Sequence, residues 1–228
     1  MKNFFRIFIL VVFTTNIFAQ TTLSPDDGAI SCVDKDGNSY RTVTIGNQTW
    51  MAENLKTTRF NDSTKIPLMS DIIEWRAALT PAYCWYDKEP QKYKNDLGAL
   101  YNHYTVETNK LCPKGWHVPT DKEWKILIDY NGGVKGVGSR LKANGFPDMA
   151  KIKANSTDKS FNVVPAGSRG MFGLFFGMGM YATYWTATKY DLSAWSWYAD
   201  GHDDNAYRAL NDRKTGLSVR CIKNNNNK

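Results

Sequence analysis

Three histidines and four cysteines are the scarce, chemistry-bearing residues of this 228-residue chain. Acyl-transfer hydrolysis needs a histidine beside a nucleophile and an orienting carboxylate. His103, His117 and His202 stand apart, and no Gly-x-Ser-x-Gly elbow, His-Glu-x-x-His pair or phosphate-cradling glycine loop accompanies any of them. His117 precedes a helix start and suits packing or helix entry, while His202 lies in the polar turn Gly201-His202-Asp203-Asp204. Glu53, Glu123 and several aspartates supply carboxylates, but nothing sets two of them at the separation glycoside cleavage requires. No catalytic residue is assigned.

The cysteines are Cys32, Cys84, Cys112 and Cys221. There is no Cys-x-x-Cys, and His117 five residues after Cys112 is one pair, not a metal site. Asp200, Asp203 and Asp204 carry oxygens suited to calcium, yet a solvated acidic turn accounts for them better. Neither a metal nor a cofactor is expected. An even cysteine count, if the chain is exported as its N-terminal residues suggest, points instead to two disulfides, with three pairings available.

The denser signal is aromatic. Trp185, Trp195, Trp197, Tyr198 and Tyr207 interleave with Asp200, Asp203, Asn205 and Arg208. Flat apolar rings beside hydrogen-bonding groups are what a sugar-binding face or a protein-binding hot spot uses. The candidate ligand-binding residues are therefore Trp185, Trp195, Trp197, Tyr198, Asp200, Tyr207 and Arg208. The competing role is core filling, which suits Trp185 and Trp195 better than Tyr198 and Tyr207. On an alternating strand Trp195 and Trp197 share one face and Ser196 takes the other.

Several elements must position these residues. Residues 1–19 read as a signal peptide: Lys2 and Arg6, an apolar run from Ile7 to Phe13, and a small residue, Ala19, before Gln20. That run is too short for a membrane span, and Cys32 sits too late for lipidation at the end of such a leader. The chain is thus expected to be secreted or associated with the outer surface. Removing Lys2 and Arg6 lowers the net charge from +7 to +5, spread along the chain apart from a lysine cluster around 142–159. Nucleic acid needs a denser basic stripe and is not expected as a partner.

After a polar leader at 20–31, residues 40–45 alternate as a strand, Gly46-Asn47 turns, and residues 48–51 return. A short helix fits 71–79, and 101–106 read as a strand. Thr120-x-x-Glu123 is a capping box, and Trp124, Leu127 and Ile128 form one apolar stripe, so a helix starts at Thr120 and ends at Gly132-Gly133. A second short helix fits 139–143. Residues 167–181 carry five glycines among Met and Phe, which fits closely packed strands. Strands follow at 184–188, 194–198, 207–210 and 217–222, before an Asn-rich frayed tail at 224–228. The fold class is α+β, with antiparallel strands and one or two helices in a single domain over 32–223.

Several strings carry a resemblance: Asp36-Gly37-Asn38, residues 45–55, Tyr83-Cys84-Trp85-Tyr86, residues 98–102, residues 112–120 and Ser218-Val219-Arg220-Cys221. Through them the chain resembles the Fibrobacter succinogenes major paralogous domain. More distantly it is similar to the C-type lectin-like fold shared with formylglycine-generating enzymes. That resemblance implies adjacent terminal strands, helices on one side and a long loop region that holds ligands. It does not carry over the oxidase chemistry, which needs two nearby cysteines where this chain has only Cys221. Nor does it carry over calcium-dependent sugar binding, since the only similar string, Glu89-Pro90-Gln91, lies before the main helix. For the disulfides, Cys112–Cys221 is expected, with Cys32–Cys84 following; spacing alone leaves Cys84–Cys112 open.

The function expected is an exported, non-catalytic binding or surface-interaction module, with a glycan or other cell-surface polymer, or a surface protein, as partner. The rivals are an enzyme with an unrecognised site, either a hydrolase or a degenerate oxidase, and a structural assembly domain.

Overall fold

The computed structural model describes residues 32–142 and 161–225. The expected signal peptide, the polar leader, most of the lysine cluster, the end of the second helix and the last three residues lie outside them.

The described residues open with a small ribbon, β1 (Cys32–Val33) against β2 (Ser39–Tyr40), then the hairpin β3 (Thr42–Ile45) and β4 (Gln48–Met51). Gly46 takes φ 57° in the two-residue turn, the left-handed conformation such turns require. Next come α1 (Ile72–Ala77), β5 (Tyr83–Cys84), α2 (Pro90–Leu97), β6 (Leu100–Tyr101) and α3 (His103–Val106). β7 (Trp116–His117), α4 (Asp121–Tyr130) and α5 (Val137–Leu141) complete the first half. The second half is β8 (Ala166–Arg169), β9 (Phe175–Met178), β10 (Tyr181–Tyr190), β11 (Ser193–Asp200), β12 (Ala206–Asp212) and β13 (Ile222–Lys223).

Two sheets dominate. One runs β3-β4-β13-β7 and brings the two ends of the described chain together; the other is the antiparallel meander β10-β11-β12. Helix α4 packs on β10 and β11. Its capping box is complete: Thr120 accepts from the Glu123 backbone N–H, and Glu123 accepts from the Thr120 N–H. Its stripe buries Trp124, Leu127 and Ile128 with Trp50, Phe161, Tyr184 and Trp197. Fully burying each such side chain contributes about 1.5–3 kcal/mol against exposure.

Two of the expected strands change. Residues 101–106 are not a strand. Only Leu100 and Tyr101 pair, and Asn102 then caps α3 by accepting from the Thr105 N–H. The stretch 217–222 is largely irregular. Leu217 bridges to Tyr101 and Ser218 to Tyr184, and regular pairing begins only at Ile222. The segment is stitched instead by hydrogen bonds to several neighbours, among them Leu55 N–H to Val219 O and Met51 N–H to Cys221 O. Asn224, placed in the frayed tail, donates its N–H to Gly115 O at 2.8 Å.

Cys112 and Cys221 form the expected disulfide. The second pair does not form. Cys32 and Cys84 are free and buried in different core clusters. Burial pushes each thiol up to about 12, with Arg169 pulling the other way at Cys84.

Candidate functional site

Strand alternation divides the aromatic candidates between the two faces of the β10–β12 meander. Ala182, Tyr184, Trp197, Ala199 and Ala206 form the face buried with α4. Tyr181, Tyr198 and Tyr207 occupy the opposite face, where all three are half-buried. The register pairs Tyr198 directly with Tyr207 and places Tyr181 opposite Asp200, diagonal to Tyr198.

The rings form a row. Tyr198 and Tyr207 stack with centroids 5.0 Å apart at 19°, and Tyr181 meets Tyr198 edge-on at 6.3 Å. An aromatic cross-strand pair of this kind contributes about 0.5–1.5 kcal/mol beyond area burial. Tyr181 seats on Gly177, where a Cβ would lie 2.6 Å from its ring. Among the described residues β12 is an edge strand, and no strand flanks Tyr207 on its outer side.

Polar groups gather at the end of the row. The Tyr207 hydroxyl donates to Asp203, and Asn205 donates to both Asp203 and the Tyr207 hydroxyl. The hydrogen bond to Asp203 raises the Tyr207 phenol above its usual value and lowers the Asp203 carboxyl. Asp200 accepts from the His202 backbone N–H at 2.9 Å and lies 2.7 Å from its Nδ1, which holds the Asp200 carboxyl low. Beneath the turn, Lys142 Nζ donates to the carbonyls of Asp200 and Asp203. Among the described residues no three His, Cys, Asp or Glu side chains converge to hold a metal. Asp200 and Asp203 have hydrogen-bonding partners of their own, and Asp204 Oδ1 lies 3.6 Å from Lys142 Nζ.

The other candidates lie elsewhere. Trp185 is fully buried and donates its Nε1–H to Tyr101 O at 2.8 Å, with His103 edge-on to its ring, so it belongs to the core. Trp197 is buried too, its Nε1–H donating to Asp121 Oδ1 at 3.0 Å. The same carboxylate oxygen accepts from Arg208 Nε at 2.7 Å, and the Arg208 guanidinium lies 3.3 Å from the Trp195 ring centroid. Trp195, half-buried, thus has one face covered by Arg208. Asp121, Trp197, Arg208 and Trp195 tie α4 to the meander.

Tyr181 escaped the sequence reading. Its signal was parity: on β10 it alternates with the core residues Ala182 and Tyr184, as Tyr198 does with Trp197 and Ala199 on β11.

The histidines have structural partners. His103 is buried, Nδ1 3.0 Å from Glu107 Oε1 and Nε2 3.0 Å from Thr186 O, and burial lowers its pKa. Although burial opposes it, hydrogen bonds from Arg213 and His103 hold the Glu107 carboxyl below its usual range. His117 Nε2 lies 2.9 Å from Glu123 Oε1 and Nδ1 2.6 Å from Asn224 Oδ1, and the Glu123 bond raises its pKa. His117 therefore locks the capping box to β7 and to the exit of β13.

Fold and site define an α+β domain, mostly antiparallel, closed by one disulfide and presenting a tyrosine row on a meander sheet. A family model, the Fibrobacter succinogenes major domain, matches residues 43–223, and the chain belongs to that family. No curated protein and no solved structure matches it. Among the described residues no helix is long and apolar enough to cross a membrane.

Proposed function

We propose that this protein is an exported, non-catalytic binding module of C-type lectin-like architecture, and that it grips a glycan or similar cell-surface polymer along the tyrosine row. The carrying observation is the half-exposed sequence Tyr181, Tyr198, Tyr207 across three strands, ending in Asp200, Asp203 and Asn205. Tyrosines with partly open rings supply contact area at low entropic cost, and the adjoining carboxylates and amide accept and donate to hydroxyls. The signal-peptide pattern read in residues 1–19 supports the exported setting. Fold analogy adds only to the architecture, because function belongs to the site.

The test is isothermal titration of the purified protein against β-1,4-linked oligosaccharides of glucose, xylose and N-acetylglucosamine. Saturable binding to at least one is expected, weakened about tenfold or more by Tyr207→Ala, as for a hot-spot aromatic. Binding unchanged in both Tyr198→Ala and Tyr207→Ala variants, with folding intact, would remove the row from the site.

A further inference from the structure

A pocket of about 190 Å³ opens at the other part of the fold, between β1 and the turn that leads into β7. It shares no residue with the tyrosine row. Its walls include buried Leu111 and Trp116, and three cations line it: Lys35, Arg59 and Lys114. One acid, Asp34, lines it as well, but its carboxylate is engaged. Oδ1 accepts from the N–H groups of Asp36 and Asn38, and Oδ2 from Asn38 Nδ2 and the Tyr40 hydroxyl. Arg59 pairs with Asp36 at 3.3 Å. Lys35 and Lys114 have no ion-pair partner among the described residues.

The cations sit on braced backbone. The turn bearing Lys114 is held by the Trp116 N–H to Pro113 O bond, by Asn224 N–H to Gly115 O and by the disulfide at Cys112. Asn61 fixes the facing wall, donating from its backbone to Lys110 O and from its side chain to Cys112 O. Lys35 is on the turn that the Asp34 carboxylate closes. A preorganised rim loses less on binding than a flexible one. The volume is below the roughly 300–1,000 Å³ of drug-sized sites and matches about six waters by their share of the liquid.

We propose that this pocket binds a small anion: one carboxylate or phosphate group carried on a body no larger than a single sugar ring. The lysines and Arg59 meet the anionic group, and Trp116 and Leu111 meet the apolar side of the ring. Partly screened ion pairs at the rim make the affinity salt-dependent.

The test is calorimetric titration of the purified protein with D-glucuronate, D-glucose 6-phosphate and D-glucose at about 0.02 M and about 0.3 M salt. At least one charged ligand binds saturably and more weakly at high salt, while glucose does not bind. Binding of glucuronate alone assigns the site to carboxylates, of the phosphate ester alone to phosphates, and of both to the shared anionic chemistry. The Lys35→Ala/Lys114→Ala double variant, both residues exposed, keeps its thermal midpoint and binds about tenfold more weakly. Tyr207→Ala leaves this binding unchanged, which separates it from the tyrosine row. Absence of binding by both anions, equal binding of glucose, or an unaffected double variant would overturn the proposal.

Discussion

Replacing Cys112 and Cys221 together by serine removes a link between residues 109 apart in sequence. In the chain-entropy model, closing a loop of about 110 residues takes roughly 16 cal/mol/K from the unfolded ensemble, or about 4.8 kcal/mol at 25 °C. Measured disulfides of this kind more often contribute about 2–4 kcal/mol. The hydrogen bonds that position the C-terminal segment, Leu55 N–H to Val219 O and Met51 N–H to Cys221 O, survive the substitution. The loss is therefore that of the constraint, set against a typical total of about 5–15 kcal/mol. At about 2–4 °C per kcal/mol for a chain of this size, the full entropic value lowers the thermal midpoint by about 10–19 °C. Circular dichroism melts of the variant, and of the parent with reductant, measure it. Thiol titration of the denatured parent without reductant should find two free thiols, Cys32 and Cys84. A midpoint drop under about 3 °C, where the smallest expected contribution of about 2 kcal/mol gives at least 4 °C, would refute the reasoning; so would finding no free thiol.

Other perturbations follow from local geometry. Thr120→Ala removes one half of the capping box and should cost about 0.5–2 kcal/mol in chemical denaturation. Gly98 takes φ 74°, and a Cβ there would lie 2.7 Å from Asn54 Cβ and 2.8 Å from Leu55 O, so Gly98→Ala should cost about 2–4 kcal/mol by denaturant melts. The raised pKa of His117 means that its pairing with Glu123 stabilises the fold fully below the ordinary value of 6.5 and fades as pH rises through the raised one. Denaturation midpoints measured across that range should converge between parent and His117→Gln as pH rises, the gap at lower pH being a few tenths of a kcal/mol for so exposed a pair. A gap that widens with pH would contradict the assignment.

What was legible in the sequence was local. The Thr120–Glu123 box, the Trp124 stripe and the Gly46-Asn47 turn each rest on a few neighbouring residues, and each stands in the structure. Residues 101–106 misled because Tyr104, Thr105 and Val106 favour strands in isolation, whereas Asn102 is held by contacts from residues 80–82 that favour a cap. Helix α2 went unassigned because only Tyr93 and Leu97 of its eight residues are buried. The aromatic candidates were correctly seen as strand residues, but their faces depended on register, which no single strand reveals. Trp185 and Trp197 went to the core, and Tyr181 joined Tyr198 and Tyr207 only through pairing across three strands. The second disulfide failed for a similar reason: Cys32 and Cys84 are held in separate clusters by long-range packing.

The claim that the tyrosine row is the ligand face is tested most directly by NMR of tyrosine-ring-labelled protein titrated with the oligosaccharide panel. The rings of Tyr181, Tyr198 and Tyr207 should shift together and saturably, while Tyr40 and Tyr101, both fully buried, stay fixed. A saturable ligand that moves other rings and leaves these three unchanged would contradict the account.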